Sequence, residues 1–360
     1  MNMRQVCPIE PSYTPSPKPI VFPFPTAVPI NSLPPPPVEN METHPLYQGA
    51  WTTYLPPKWQ ERLQQTGEPP YISSIIVAAD GSLWFSTTGG EVSSGVGAYH
   101  FNGKTWTHYT KENGSGFDEI SSSMVTPDGA IWFGSFCCGV SRFDGNTWTT
   151  YTTTNGLASN DIRSMGVAQN GDLWFGTSDK GISRYDGKGW LTYTSNSGLW
   201  GDYVGGIFSL PDGSLLFSSS DGSRAKLNRF DGSHWTVYST PMTDSGKYTV
   251  DLKAALNGNL WFASEYLGVY RLSESGWTNF TIKDGLANDQ MYSLAAARDG
   301  SAWFGTAGGV SRFDGKTWTT FKLEGDTGNN GIGSIVEATD GSIWVGYYGG
   351  IAHYIPPISP

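Results

Sequence analysis

Residues 162–194 read IRSMGVAQNGDLWFGTSDKGISRYDGKGWLTYT, and variants of this stretch recur along the chain. Glycine-rich turns divide the stretch into four short runs that predict strands: Ile162 to Ala168, Leu173 to Thr177, Gly181 to Tyr185 and Trp190 to Thr194. The Asx-Gly pairs between these runs supply the positive φ that tight hairpins need. Four short strands in a period of about 42 residues are typical of a propeller blade.

Two phrases of this repeat can be counted along the chain. Variants of the L-W-F-G-T phrase occur seven times, centred on Trp84, Trp132, Trp174, Leu216, Trp261, Trp303 and Trp344. The F-D-G-x-T-W-T-x-Y phrase also occurs seven times, centred on Trp106, Trp148, Trp190, Trp235, Trp277, Trp318 and, ahead of them all, Trp51. The last repeat, Ile332 to Tyr354, has only three strands. We therefore predict an all-β, seven-bladed β-propeller of four-stranded blades, whose last blade is closed by the N-terminal strand Trp51 to Tyr54.

Composition divides the chain into two regions. Residues 1–46 hold 13 of the 23 prolines, so we predict an extended Pro-rich tail, either a linker or an arm that docks on a partner. Residues 47–360 form the predicted propeller, and an aromatic content of 14% supplies its core. A net charge of −10 without basic clusters argues against a nucleic-acid surface. No apolar run is long enough to predict a transmembrane segment.

The N-terminus bears on localisation. Met1 to Val6 is too short and too polar to be a signal peptide. Cys7, followed by a proline-rich spacer, resembles the start of a mature bacterial lipoprotein, so a lipid anchor at Cys7 is one interpretation. The Trp-, Gly- and Thr-rich, Lys-poor repeats favour an extracytoplasmic location, periplasmic or at the cell surface.

The phrase N-G-L-A-S-N-D-I-R-S-M, Asn155 to Met165, is followed by D-L-W-F-G-T and by G-I-S-R-Y-D-G. Together these phrases resemble the repeats of the two-component regulator propeller family, and the resemblance extends over about residues 47–355. Members of that family are mostly periplasmic sensing domains of membrane-bound regulators. The resemblance implies a seven-bladed module that recognises a ligand or a partner.

The repeats serve as controls for one another. We call the residues at equivalent positions of the seven blades a column, and we expect a residue that matches its column to be structural. His100 and His353 fall in a column that elsewhere holds arginine, as at Arg142 and Arg184, and no histidine pair has metal-ligand spacing. We therefore expect neither a catalytic histidine nor a metal site, and no cofactor. One loop column is acidic or amidic, namely Asp118, Asn160, Asp202, Asp289 and Asn330. We interpret it as fixing turns, with a calcium-binding ring as the alternative.

The innermost strands are expected to line an axial channel. Their small-residue column comprises Ser74, Ser122, Ser164, Gly206, Asp251, Ser293 and Ser334. Asp251 breaks this column and Lys253 is equally unusual for its own, so the two residues predict either a buried ion pair or part of a ligand site. Glu265 breaks a glycine-rich turn nearby.

Aromatic residues that break the pattern concentrate in the loops of one face. The ligand-binding candidates on that face are Phe136, Trp200, Tyr203, Tyr266, Tyr292, Tyr347 and Tyr348, with Asp251, Lys253 and Glu265 beside them. A pyranose offers an apolar face to stack on such rings and hydroxyls to bond. The alternative is that several of these rings pack between blades. In the same region Cys137 and Cys138 could close a vicinal disulfide or remain as two packed thiols.

These observations favour a non-enzymatic recognition module that binds a carbohydrate or a protein partner through the loop face of the propeller. The alternative is a channel-mouth enzyme, a lyase or a glycan hydrolase, that uses Asp251, Lys253 and Glu265. A third interpretation is a structural assembly subunit docked by the Pro-rich tail.

Overall fold

A computed structural model describes residues 44–45, 51–54, 59, 71–88, 96–238, 240–241, 249–254, 259–273, 275–323 and 331–356, with only the backbone at 44–45 and 249–254. These residues form seven antiparallel sheets. The first strand of each sheet packs against the first strands of its two neighbours, and that of the seventh sheet returns to that of the first. The predicted fold class, a seven-bladed β-propeller, is confirmed.

The strands follow the repeat closely. Blades 1 to 4 consist of Tyr71–Val77, Leu83–Thr88, Ala98–Phe101 and Trp106–Tyr109; Ser122–Val125, Ile131–Gly134, Val140–Phe143 and Trp148–Tyr151; Ile162–Val167, Leu173–Thr177, Ile182–Tyr185 and Trp190–Tyr193; and Tyr203–Ser209, Leu215–Ser220, Ala225–Phe230 and Trp235–Tyr238. Blades 5 to 7 consist of Thr249–Ala254, Leu260–Ser264, Gly268–Ser273 and Gly276–Phe280; Met291–Ala296, Ala302–Thr306, Gly309–Phe313 and Trp318–Phe321; and Ile332–Glu337, Ile343–Tyr347, Gly350–Tyr354 and Trp51–Tyr54. Short 3-10 helices, Lys111–Asn113, Thr153–Asn155 and Ser195–Ser197, follow the outer strands of blades 1 to 3.

The second strand of each blade is apolar on both faces because a neighbouring blade covers each of them. All five residues of Leu173–Thr177 are buried. The Trp174 ring lies 5.4 Å from the Phe217 ring and 5.7 Å from the Phe230 ring, both in blade 4. The phrase L-W-F-G-T therefore encodes the contact between blades as well as the strand.

The inner strands carry an irregularity near one end. In six blades the register of the first and second strands shifts by one residue there, for example between Ile162 and Ser164 in blade 3. Such a β-bulge leaves one residue unpaired and redirects its side chain. The bulge therefore changes which side chains reach the channel.

The seventh blade contains strands from both parts of the chain. Trp51–Tyr54 pairs antiparallel with Gly350–Tyr354, with Trp51 opposite Tyr354, and the two-residue strand His44–Pro45 pairs with its outer side. Trp51 is buried between the rings of Trp303 and Tyr354, and Tyr54 stacks on Trp344 with ring centroids 5.4 Å apart. Apart from His44–Pro45, the predicted tail of residues 1–46, Cys7 included, lies outside the described residues.

Candidate functional site at the channel mouth

The two faces of the propeller differ in their connections. Turns between the first and second strands and between the third and fourth strands lie on one face, which we call the hairpin face. Connections between the second and third strands, and from the fourth strand to the next blade, lie on the other, the loop face. The predicted aromatic candidates belong to the loop face.

A central cavity of about 740 Å³ runs along the inner strands. Its walls include the small hydroxyl-bearing residues Ser73, Ser122, Ser123, Ser164, Ser293 and Ser334. Its loop-face end is lined by larger side chains, those of Tyr71, Phe136, Arg163 and Tyr292. The cavity wall therefore combines serine hydroxyls with aliphatic side chains such as those of Ile76, Ile207 and Val336, and it has an aromatic rim at one end.

The serine column holds neighbouring blades together. The Ser164 hydroxyl donates to the carbonyl of Val204 in the next blade at 3.0 Å. The Ser293 hydroxyl donates to the carbonyl of Ile332 at 2.8 Å, and the Ile75 amide donates to Ser334 Oγ at 2.9 Å. These buried contacts cross three blade boundaries, so this column is mainly structural, as expected of residues that match the repeat.

The position one residue before the serine column is more informative. It holds Ser73, Ser121, Arg163, Gly205, Val250, Tyr292 and Gly333. In most blades the bulge described above lies at this position. Arg163 and Tyr292 break a column of otherwise small or aliphatic residues, and both side chains line the cavity mouth. Arg163 was absent from the predicted site, although the column comparison would have found it at this position.

Arg163 and Phe136 form one side of the mouth. Arg163 Nε lies 2.9 Å from Asp161 Oδ1, and its Nη2 donates to Asp161 Oδ2 at 3.0 Å. The guanidinium carbon lies 4.6 Å from the centroid of the Phe136 ring, and Phe136 is 36% exposed. A paired guanidinium on an aromatic ring gives a flat, partly apolar surface of nearly neutral charge.

Tyr71 and Tyr292 form another side of the mouth. A Cβ atom at Gly331 would lie 2.6 Å from the Tyr292 ring, and one at Gly333 would lie 2.5 Å from the Tyr71 hydroxyl. The two glycines of blade 7 therefore make room for the two rings. Burial raises the pKa of both phenols, so both stay protonated at neutral pH and can donate hydrogen bonds. Tyr71, a residue missed in the sequence, aligns with the predicted Tyr203 in blade 4.

Glu265 and Tyr266 adjoin this side of the mouth. The Tyr266 hydroxyl bonds to the Glu265 carboxylate, which raises the pKa of Tyr266, and Tyr266 is 45% exposed. The charge of Glu265 also contributes, after burial, to the raised pKa of Tyr292. We name Tyr71, Phe136, Arg163, Glu265, Tyr266 and Tyr292 the mouth collar.

Trp200 has cationic neighbours on the same face. The Nζ atom of Lys226 lies 3.4 Å from the centroid of one ring of Trp200, and the Arg224 guanidinium lies 5.7 Å from a ring centroid. The Trp200 amide donates to Asn228 Oδ1 at 2.9 Å. Lys226 replaces the glycine that other blades have at this position, such as Gly181, a signal the sequence comparison missed.

Tyr203, Tyr347 and Tyr348 are not among the described residues that line the cavity. Tyr347 is only 8% exposed and packs in the core between blades 6 and 7, and this burial raises its pKa to about 12. Tyr203 and Tyr348 are half-buried on the loop face. The side chains of Asp251 and Lys253 lie outside the described residues. Tyr347 is therefore a core residue, because neighbouring blades cover both faces of its strand end.

Cys137 and Cys138 form a vicinal disulfide in the turn that follows Phe136. The Cys137 amide donates to Ser135 Oγ at 3.3 Å. The disulfide therefore stands next to the mouth collar.

The acidic loop column fixes turns by hydrogen bonding to the backbone. Oδ1 of Asp118, Asn160, Asp202 and Asp289 accepts the amide of Lys111, Thr153, Ser195 and Ile282 respectively, at 2.7 to 2.9 Å. These are the contacts expected of an Asx residue that closes a local turn. Among the described residues, no group of three His, Cys, Asp or Glu side chains could hold a metal ion.

The histidines of the arginine column pack on tryptophans. His100 stacks on Trp84 with centroids 4.6 Å apart, and His353 stacks on Trp344 at 4.2 Å. Burial lowers the pKa of His353 to about 4, against a smaller opposite effect of Asp340. None of the histidines in the described part of the chain lines the central cavity.

The lowered pKa of the buried His353 predicts that the stability of the protein depends on pH. An unfolded histidine has a pKa near 6.5, so the unfolded chain takes up the proton first as the pH falls below that value. The free energy of unfolding therefore decreases as the pH falls from about 6.5 to 4. At about pH 4.5, His353 alone accounts for roughly 2–3 kcal/mol of this decrease. We expect His353→Gln to reduce the difference in unfolding free energy between pH 7 and pH 4.5, measured by urea denaturation. The exposed His234→Gln serves as the control, and equal pH slopes for both variants would contradict the assignment.

Comparisons with known proteins support the fold. Residues 156–179 match the Two component regulator propeller family, which confirms the resemblance predicted from the sequence. A search of curated proteins finds no significant match. Among solved structures, the extracellular domain of the hybrid two component system BT3049 from B. thetaiotaomicron is 20% identical with a TM-score of 0.65. That match covers 80% of this chain and 40% of the other, so this chain spans less than half of it.

Two further solved structures share the fold. Virginiamycin B lyase from Staphylococcus aureus, solved with quinupristin, is 19% identical with a TM-score of 0.65, over 81% of this chain and 97% of that one. YCF48 from Cyanidioschyzon merolae is 14% identical with a TM-score of 0.59, over 87% of this chain and 100% of that one. At these identities the similarities establish the fold alone. Within the described residues, no helix is both long and apolar enough to cross a membrane.

Proposed function

We propose that this protein is a non-enzymatic recognition propeller that binds a carbohydrate at the mouth collar. One observation carries the proposal: Arg163 and Tyr292, which break a column of small residues, both lie at the mouth of a cavity with hydroxyl-bearing walls. Residues that depart from a repeat without a structural need are those expected to serve binding.

The chemistry of the collar suits a neutral polyhydroxylated ligand. Phe136 and the tyrosines offer π faces for the apolar side of a pyranose ring. The phenols, the Glu265 carboxylate and the serine walls supply hydrogen-bond donors and acceptors. Because the Asp161 carboxylate pairs with the Arg163 guanidinium, Arg163 does not require an anionic ligand. A volume of about 740 Å³ lies within the range of ligand sites.

Binding is favoured over catalysis by how the described charged groups are engaged. Arg163 is paired with Asp161, and Glu265 accepts from Tyr266, so neither is held as an unpaired acid or base. A channel-mouth enzyme would have to rely on Asp251 and Lys253. We also propose an extracytoplasmic location, by analogy with the extracellular regulator domains of the same fold. In this proposal residues 47–360 are the binding domain and residues 1–46 a tethering tail.

A glycan array, followed by calorimetric titration of any hit, tests this proposal. We expect the protein to bind at least one glycan, and Tyr292→Ser to weaken that binding by about tenfold or more, about 1.4 kcal/mol. Leu191→Ser is the control, because Leu191 is 51% exposed on the outer strand of blade 3. Binding that is unchanged in Tyr292→Ser would contradict the proposal, and release of a shortened glycan would favour the enzyme.

A further inference from the structure

A second cavity of about 470 Å³ lies on the hairpin face, between blades 2 and 3. We call it the interblade groove and define it by Asp128, Trp132, Arg142, Tyr151, Asp172 and Tyr185. It lies at the opposite end of the propeller from the mouth collar, so it is a separate site.

At one turn position a long polar side chain bridges to the next blade in blades 3 and 6, whereas blade 2, like blade 4, has a proline there. In blade 3, Gln169 Nε2 donates to the carbonyl of Leu210 in blade 4 at 2.7 Å. At the same position in blade 6, Arg298 Nε contacts Glu337 Oε2 in blade 7 at 3.1 Å. Blade 2 has Pro127 in this column, and a proline has neither an N–H nor a polar side chain with which to bridge.

The inner wall of the groove is aromatic. The Tyr151 and Tyr185 rings lie 5.7 Å apart, and Trp132 lies 5.4 Å from the first and 6.2 Å from the second. Both tyrosines are half-buried, so part of each ring remains accessible. This wall provides an apolar surface on which a ligand ring could stack.

Two of the three carboxylates that line the groove are paired with guanidinium groups. Asp128 Oδ2 lies 2.9 Å from Arg142 Nη2, and Asp172 Oδ2 lies 2.6 Å from Arg184 Nη2. The third carboxylate, Asp186, accepts the backbone amides of Lys188 and Gly189 through Oδ1 at 2.9 and 2.8 Å. All three carboxylates are thus already hydrogen-bonded, and their remaining lone pairs can accept the hydroxyl groups of a neutral ligand.

A buried donor at the groove lacks an acceptor. Trp132 lines the cavity and is 2% exposed, and its indole Nε1 has no hydrogen-bond partner among the described residues. In blade 6 the equivalent Trp303 donates to Ser301 Oγ at 3.1 Å, whereas blade 2 has Ala130 at the serine position. An acceptor supplied from the groove would satisfy this buried donor.

We infer that the interblade groove is a second ligand site, and that its ligand is a neutral pyranoside. The apolar face of the sugar stacks on Tyr151 and Tyr185. Its hydroxyls bond to the carboxylates of Asp128 and Asp172 and to Arg142. The cavity volume lies within the range of small-molecule sites.

The repeat supplies the variants that test this site. Pro127→Gln introduces the bridging residue of blade 3 into the groove, and Pro211→Gln makes the same change at the same position of blade 4. Ala130→Ser gives Trp132 the hydroxyl partner that Trp303 has in blade 6. All three residues belong to turns or strand ends where other blades carry the introduced type, so folding should be preserved, and thermal unfolding checks this.

The probes are methyl pyranosides of glucose, galactose and mannose and their disaccharides, titrated into the full chain and followed by saturation-transfer NMR. In chains that also carry Tyr292→Ser, so that the mouth collar contributes little, we expect Pro127→Gln to weaken sugar binding by about tenfold or more and Pro211→Gln to leave it unchanged. We expect Ala130→Ser to raise the unfolding midpoint and weaken binding. Sugar binding that is equal in Pro127→Gln and Pro211→Gln would overturn the inference. So would binding of a lysine-containing peptide with no sugar bound up to about 10 mM.

Discussion

Deletion of residues 1–54 is expected to unfold the propeller, whereas deletion of residues 1–42 leaves its stability nearly unchanged. The first deletion removes Trp51 and Tyr54, which are 5% and 3% exposed, together with the strand that covers Gly350–Tyr354. Loss of each buried aromatic side chain costs about 3–5 kcal/mol. Two such losses are comparable to the whole stability of a typical domain, about 5–15 kcal/mol.

Urea and thermal unfolding of the two truncated chains measure this difference. Point variants make the test finer: Trp51→Ala should cost about 3–5 kcal/mol, and Thr52→Ala, on the same strand but only half-buried, should cost about 1 kcal/mol or less. A chain lacking residues 1–54 that unfolds at the same midpoint as the full chain would show that the ring does not depend on this strand.

Gly181→Ala is expected to destabilise the protein by more than about 3 kcal/mol, while Gly187→Ala costs only about 1–2 kcal/mol. Both glycines have positive φ, +73° and +86°. A Cβ at Gly181 would lie 2.1 Å from the Tyr193 carbonyl oxygen, whereas a Cβ at Gly187 would meet nothing within 4 Å. The shared φ cost cancels in the comparison, and the difference isolates the clash with the adjacent strand.

Denaturant unfolding of the two alanine variants gives this difference directly. The same close approach recurs at Gly97, Gly139, Gly268 and Gly309, where a Cβ would lie 2.1 to 2.5 Å from a carbonyl oxygen of an outer strand. Equal losses of stability at Gly181 and Gly187 would mean that φ alone explains the glycine column.

Most of the fold could be predicted from the sequence because its determinants are local and repeated. The four strands predicted in blade 3 end within one residue of those observed, for example Ile162–Val167 against the predicted end at Ala168. Asp-Gly and Asn-Gly turns fix each hairpin, and the apolar second strand fixes each contact between blades. The position of Trp51 followed from counting outer strands, since the last repeat lacked one.

The candidate site was less predictable because it depends on register and on packing. Strict alternation along the inner strand points to the serine column, but the bulge brings Arg163 and Tyr292 to the channel mouth. Tyr347 matched the aromatic pattern of the loop face, yet it is buried because the neighbouring blade covers its strand end. Sequence position alone does not tell whether a ring at a strand end turns outward or inward.

The two proposed sites differ from the rest of the propeller in one respect. At each of them a residue departs from its column, and no other residue takes over its structural contact. Ala130 removes the hydroxyl that Ser301 offers to Trp303 in blade 6, and Tyr292 fills a position that is small in most blades. In contrast, Asn228 replaces a serine and keeps its role, since it accepts the Trp200 amide as Ser183 Oγ accepts the Ala158 amide. A departure from the repeat is therefore informative only when the structural contact is lost with it.

The central claim is that Arg163 and Tyr292, which depart from the repeat, bind a ligand at the mouth collar, while the neighbouring serine column mainly holds the blades together. Its most direct test is the affinity of the double variant Arg163→Ser and Tyr292→Ser, which restores the serine found at Ser73 and Ser121. We predict an unfolding midpoint close to that of the original protein and a loss of glycan affinity of about 100-fold or more, about 2.7 kcal/mol, by calorimetric titration. A folded double variant that binds the glycan with unchanged affinity would contradict the claim.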